Sequence, residues 1–167
     1  IGLSKDNSNF NGNIDIANNA NLTTTDVNQL GQALVNNEGG LLFNIAQDQI
    51  LTNVITGAGD IIKNGSSILT VKQSEAYTGK TAINQGALWL NKGITLGNDN
   101  AGDVTIAQNA TLAGAGKVNG KVINYGTISV ADDVITRTNS NAVNLTINND
   151  LDNYNQVSIS NASIVGN

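Results

Sequence analysis

Two stretches of this 167-residue chain carry the same device 21 residues apart: Gly65 is followed by Leu69 and Val71, and Gly86 by Leu88 and Leu90. Side chains two positions apart leave a strand on the same face, so each pair marks a strand with one face turned to a core. A 21-residue interval is too long for a hairpin turn and suits one coil of a solenoid. A repeat of that size buries its apolar face only by stacking on its neighbour, which turns the chain into a ladder of parallel strands. The expectation is an all-β chain.

The frame around these glycines is more specific. From Gly57 to Leu90 it reads GAGDIIKNGSSILTVKQSEAYTGKTAINQGALWL. Gly57, Gly59, Ile61, Lys63, Gly65, Leu69, Thr70 and Val71 fill one half of a pattern, and Tyr77, Thr78, Gly79, Thr81, Ile83, Asn84, Gly86, Leu88 and Leu90 the other. The stretch resembles the passenger-associated transport repeat, an autotransporter-associated β-strand repeat found in passenger domains of bacterial autotransporters (type V secretion). It departs from that pattern at Ser67, Ile68 and Lys80. The resemblance implies a right-handed parallel β-helix exported across the outer membrane of a Gram-negative cell, then displayed on its surface or released. It also implies a C-terminal translocator β-barrel as the partner within the full-length protein.

Internal echoes extend the repeat beyond residues 57–90. GNIDIANNANL (12–22) returns as GDVTIAQNATL (102–112), ITGAGDI (55–61) as LAGAGKV (112–118), and NYGTISV (124–130) as NYNQVSI (153–159). Taking the turn residue before each strand as a marker gives Asn19, Gly65, Gly86, Asn109, Gly126 and Asn155, with Gly39 or Gly40 filling the wide gap after Asn19. Gly and Asn share this role because both tolerate positive φ. The later markers average about 22 residues apart, a solenoid coil length, which predicts about 7–8 coils. Two segments break the period. Residues 23–40 place Val27, Leu30 and Leu34 at helical spacing, with Thr25 or Asp26 as cap and Gly39 as stop, which predicts a short helical or loop excursion near residues 25–38. Residues 131–142 account for the longest interval and read as a second excursion.

Composition excludes several functions. The net charge is −5, and the eight basic residues are scattered, against the clustered Lys and Arg that nucleic acid requires. Absence of Cys suits a chain that crosses the periplasm without being locked by a disulfide. No apolar run approaches a membrane span, and no stretch reads as a signal peptide; the start at Ile1 reads as a piece cut from a longer passenger, 1–167 forming a single β-helix segment. Asn supplies 29 residues, about one in six, and turn asparagines stacked along a ladder can hydrogen-bond from coil to coil.

With no His and no Cys, Ser or Cys triads with His are ruled out, and so are most zinc sites. A carbohydrate-cleaving pair of carboxylates needs acids at matching points of adjacent coils. Asp15, Asp60 and Asp103 fall at different offsets from their markers, and Glu75, Asp132, Asp133 and Asp150 fall in loops or spacers, so no catalytic residue and no cofactor is assigned. Asp99 and Asp103 in GNDNAGDV offer oxygen ligands to a hard cation, but a solvated turn explains them as well. Alternation with Leu88 and Leu90 turns the single Trp, Trp89, outward, with Ile68 about one coil earlier. These two are the candidate binding or self-association residues, the competing reading being packing against Lys72, Lys92 or a flanking loop. Tyr125 and Tyr154 occupy matching positions and are expected to stack.

The expected function is that of a non-enzymatic stalk of a cell-surface adhesin, supporting adhesion, autoaggregation or biofilm, its partners being itself on neighbouring cells or a host surface protein or glycan. The competing expectation is a module that promotes folding and secretion of the passenger, and a third is a solenoid hydrolase or lyase.

Overall fold

In a computed structural model, residues 5–131, 143–159 and 162–166 are described, and they form a parallel β-solenoid with three walls. The first wall contains Asn13–Ile16, Leu34–Asn37 and Ile55–Thr56, then Thr95–Leu96, Lys117–Val118, Val143–Ile147 and Ala162–Gly166. The second is one seven-stranded sheet of Asn21–Thr24, Gly40–Asn44, Asp60–Asn64, Thr81–Ile83, Val104–Ile106, Val122–Asn124 and Leu151–Asn153. The third holds Gln49–Leu51, Ile68–Val71, Gly86–Leu90, Ala110–Gly114, Thr127–Val130 and Gln156–Ile159. The second wall thus registers seven passes of the chain and six turns between them. At the usual parallel strand spacing those six turns rise about 29 Å.

Alternation builds the core. On the second wall Leu22, Leu41, Ile61, Thr81, Val104, Val122 and Leu151 stack in register, at intervals of 19, 20, 20, 23, 18 and 29 residues. On the third wall Leu69, Leu88, Leu112, Ile128 and Val157 do the same. Removing each of these Leu or Ile side chains from water stabilises the fold by about 2 kcal/mol.

The echoed sequences turn out to be portable corners. Ala17–Ala20 and Ala107–Ala110 close the same turn, with Asn19 at φ 63° and Asn109 at φ 67°. Yet the first lies between first and second walls and the second between second and third. Gly57 (φ 100°) and Gly114 (φ 108°) repeat the pattern, on corners that also differ. Only NYGTISV and NYNQVSI lie directly above one another, with Thr127 to Val130 facing Gln156 to Ile159. The expected marker series is therefore corrected. Gly65, Gly86, Asn109, Gly126 and Asn155 share one corner, whereas Asn19, Gly39 and Gly40 belong to another. Positive φ is needed at Gly65, Gly86 and Asn109; at Gly126 the reason is closeness, since a Cβ there would lie 2.3 Å from the Ala110 carbonyl oxygen.

The corner between first and second walls carries a different column of Gly39, Gly59, Gly79, Gly102 and Gly120. A Cβ on Gly79 would meet the Gly59 carbonyl oxygen at 2.0 Å, so the coils approach there through bare backbone.

The expected excursion near 25–38 is also smaller than its period suggested. A single 3-10 turn, Val27–Leu30, is capped by Asp26, whose carboxylate accepts from the Asn28 amide at 2.9 Å. It packs against Gln49–Leu51 and supplies the first course of the third wall. Leu34 does not join it. That residue lies in a first-wall strand and is exposed, because the chain must return to pair with Asn13–Ile16. Gly31, not Gly39, ends the turn. The excursion expected at 131–142 lies, apart from Ala131, outside the described residues.

Candidate functional site

A solenoid offers its surroundings three lateral walls and two ends, and the residues singled out by sequence distribute over these unevenly. Trp89 is on the outer side of the third wall, between Thr70 and Ala113 in register, as alternation requires. Outward does not mean exposed. The indole is 2% accessible and packs with Ala113, Ala131 and the half-buried Ile68 in a small apolar cluster separate from the main core. Small neighbours on both sides leave room for a large ring, so Trp89 contributes packing and presents no binding face in this structure. The amide of Ile68 donates to the Asp48 carboxylate of the coil below at 2.8 Å.

Asp99 and Asp103 do not converge on a common point with other ligands. Among the described residues no three acidic side chains are grouped so as to hold a metal ion. The 97–103 segment is instead a stapled turn: Asn98 accepts from the Asn100 amide at 2.8 Å, and buried Asn119 donates to the Gly97 carbonyl at 2.9 Å.

Asparagine performs this stapling throughout. Asn37 and Asn124 are fully buried at strand ends and accept from the amides of Gly39 and Gly126, two residues on. The same side chains reach the next coil: Asn37 donates to the Asp60 carbonyl, and Asn124 to Asn153 at 2.7 Å and to the Gln156 carbonyl at 3.1 Å. Asn84 donates to Asn64 at 2.9 Å and Asn148 to Asn119 at 2.8 Å, the coil-to-coil bonding expected from the composition. Tyr125 and Tyr154 stack as expected, with ring centroids 5.0 Å apart and planes within 10°.

Two ionisable groups were not legible as core residues. Lys63 occupies an inward column between Phe43 and Ile83, and its ammonium donates to the carbonyls of Asn64, Gly65 and Gln85 at 3.0, 2.8 and 3.2 Å. Burial pulls it down to about 8, against the opposing pull of Asp48. Glu75, placed by sequence in a spacer, is 3% accessible. It sits where the first wall has no strand, between Ile55–Thr56 and Thr95–Leu96, and its Oε2 accepts the Ile55 amide at 2.6 Å as a missing backbone carbonyl would. Its Oε1 is buried without a partner among the described residues. Burial pushes Glu75 up to about 8, which favours the neutral acid, while the Ile55 amide opposes the shift. Nearby Tyr77 is buried and bonds the Thr81 hydroxyl.

The surface the sequence reading passed over is the outer side of the second wall. Thr23, Leu42, Ile62, Ala82, Thr105, Ile123 and Asp152 stack there in one column, all partly accessible. The column is aliphatic for most of its length, on a wall otherwise edged by polar side chains. At the base of the first coil, Phe10, Ile14, Ile16, Ala17, Ala20 and Leu22 line an apolar cavity of about 470 Å³, the core seen end-on.

Fold and surface together define a rod: a parallel β-solenoid whose lateral walls are stapled by asparagine. No family model matches the chain, and no solved structure matches it. Over 108 residues, 65% of its length, it is 38% identical to the uncharacterized protein YuaQ of Escherichia coli (strain K12). Over 131 residues, 78% of its length, it is 32% identical to the uncharacterized lipoprotein YdeK of the same organism. The matched regions are 8% and 9% of those proteins, so the chain spans less than a tenth of the length of these relatives.

Proposed function

We propose that the chain is a non-enzymatic stalk segment of a cell-surface autotransporter passenger, which supports adhesion, autoaggregation or biofilm formation. The observation that carries this reading is the six-turn parallel ladder, whose interior is closed by Leu, Ile and Val and whose corners are closed by asparagine bonds. Such a rod transmits position: it holds lateral walls in fixed register along an axis, and weak contacts repeated along it add through avidity. Placement at the cell envelope draws support from the relative named a lipoprotein and from the Gly57 to Leu90 repeat. Its partners would be itself on adjacent cells, or a host surface protein or glycan, and in the full-length protein a C-terminal translocator barrel.

The test is to express the full-length protein with and without residues 57–90, and to measure surface display together with cell settling and attachment. Loss of attachment with display intact supports the stalk reading; unchanged attachment sinks it. Loss of display instead favours a second reading, in which the stretch drives folding and secretion. The observation behind that alternative is that each coil bonds only to its neighbours, so coils can add one at a time in one direction.

A further inference from the structure

The outer second wall is flanked on one side by a column of charges. Backbone bonds from Ile61 to Lys80, Thr81 to Asp103, Val104 to Lys121 and Val122 to Asp150 place Asp60, Lys80, Asp103, Lys121 and Asp150 one above another, in strict alternation of sign. On the other side run Asn44, Asn64, Asn84, Ala107, Tyr125 and Tyr154, beside their strand partners. Between them lies the aliphatic column.

An alternating column is its own complement when reversed about a point midway between two courses. We propose that the outer second wall binds a second copy of this chain, antiparallel, about a two-fold axis between the courses of Lys80 and Asp103. This rests on the self-association included in the reading above and names its surface. In that arrangement Lys80 meets Asp103 of the second copy, and Asp60 meets Lys121. On the central column Ile62 meets Ile123 and Ala82 meets Thr105, so the smallest residues fall at the centre and the aliphatic pairs to either side. Asn64 then faces the exposed Tyr125.

Other arrangements do worse. Parallel copies would set the charges against the Asn and Tyr column, and a one-course shift would set Asp103 against Asp103. A two-course shift keeps fewer opposite charges together or brings Ala82 against Asp152. Contact ends where Leu42 would meet Asp152, already paired with Lys121 at 2.6 Å.

The test compares sedimentation of wild type, Lys80→Glu, Asp103→Lys and an equal mixture of the two variants, with circular dichroism to establish that each is folded. Like charges set face to face at an interface are strongly unfavourable. Each variant alone is therefore expected to associate at least tenfold more weakly than wild type. In the mixture the new carboxylate of one variant faces the new ammonium of the other, while the unaltered Asp103 and Lys80 remain paired, so association returns. A folded but monomeric wild type overturns the proposal, as do single variants that associate like wild type or a mixture that fails to recover. Any of these leaves the stalk reading to its own test on cells. Pairing at the ends of the solenoid cannot mimic the recovery, because neither substitution touches an end.

Discussion

At the scale of single residues, the buried Glu75 and Lys63 make the stability of the fold depend on pH. Glu75 holds its proton up to about 8 in the folded chain and only to about its ordinary 4.5 when unfolded. Between those values the unfolded chain binds fewer protons, so stability falls as pH rises through that window and levels off above it. Thermal melts of wild type should show this loss, and Glu75→Gln, which keeps the neutral shape, should flatten it while matching wild type near pH 4. Lys63 acts in the next window with the opposite sign. Its folded value of about 8 lies below its ordinary 10.5, so the unfolded chain binds more protons between them and stability rises with pH. Trp89→Ala should cost about 3–5 kcal/mol in denaturant unfolding, the range for an emptied aromatic site. A near-neutral result would mean that the indole is solvated.

The corners dominate at the scale of elements. Gly79→Ala places a methyl group 2.0 Å from the Gly59 carbonyl oxygen and should destabilise by about 2 kcal/mol or more, although its φ is not positive. Gly93→Ala, where nothing lies within 4 Å but φ is 81°, separates conformational strain from collision and should cost about 1 kcal/mol. Asn124→Ala removes a corner acceptor and two coil-to-coil donors, and should cost about 2 kcal/mol in the same measurement. The stacking of Tyr125 on Tyr154 was readable from repeated spacing, since both directly precede their turn markers and residues at equal offsets in successive coils meet. The Asn84 to Asn64 bond was not, because these two lie at unequal offsets from Gly86 and Gly65 and meet only through the strand register. The corner each device occupies was not readable. The turns at Asn19 and Asn109 use nearly the same residues on different corners, because a turn is specified by a few local dihedrals and carries no record of which walls it joins.

For the whole molecule, nearest-neighbour bonding predicts a gradient of stability along the rod. Each internal coil is held from both sides and each terminal coil from one. Amide exchange should therefore be slowest in the middle courses, Asp60–Asn64 through Ala110–Gly114, and faster in Asn13–Thr24 and Leu151–Ile159. Uniform protection from end to end would instead indicate one all-or-none unit.

The sequence alone determined the all-β class, the parallel coil of about 22 residues and the inward column, because periodicity and coil length are local properties that stacking must respect. Only the tertiary structure decided the fate of Trp89. Alternation assigns a side of the wall, whereas burial depends on what packs against that side, here Ala113 and Ala131 from later coils. It also decided that Glu75 points inward, since the chain at residues 75–78 forms no strand whose alternation could have shown it. The charge column followed the same logic: Asp60, Lys80, Asp103 and Lys121 are separated by 20, 23 and 18 residues, and unequal intervals become a straight line only when backbone register brings the coils into step.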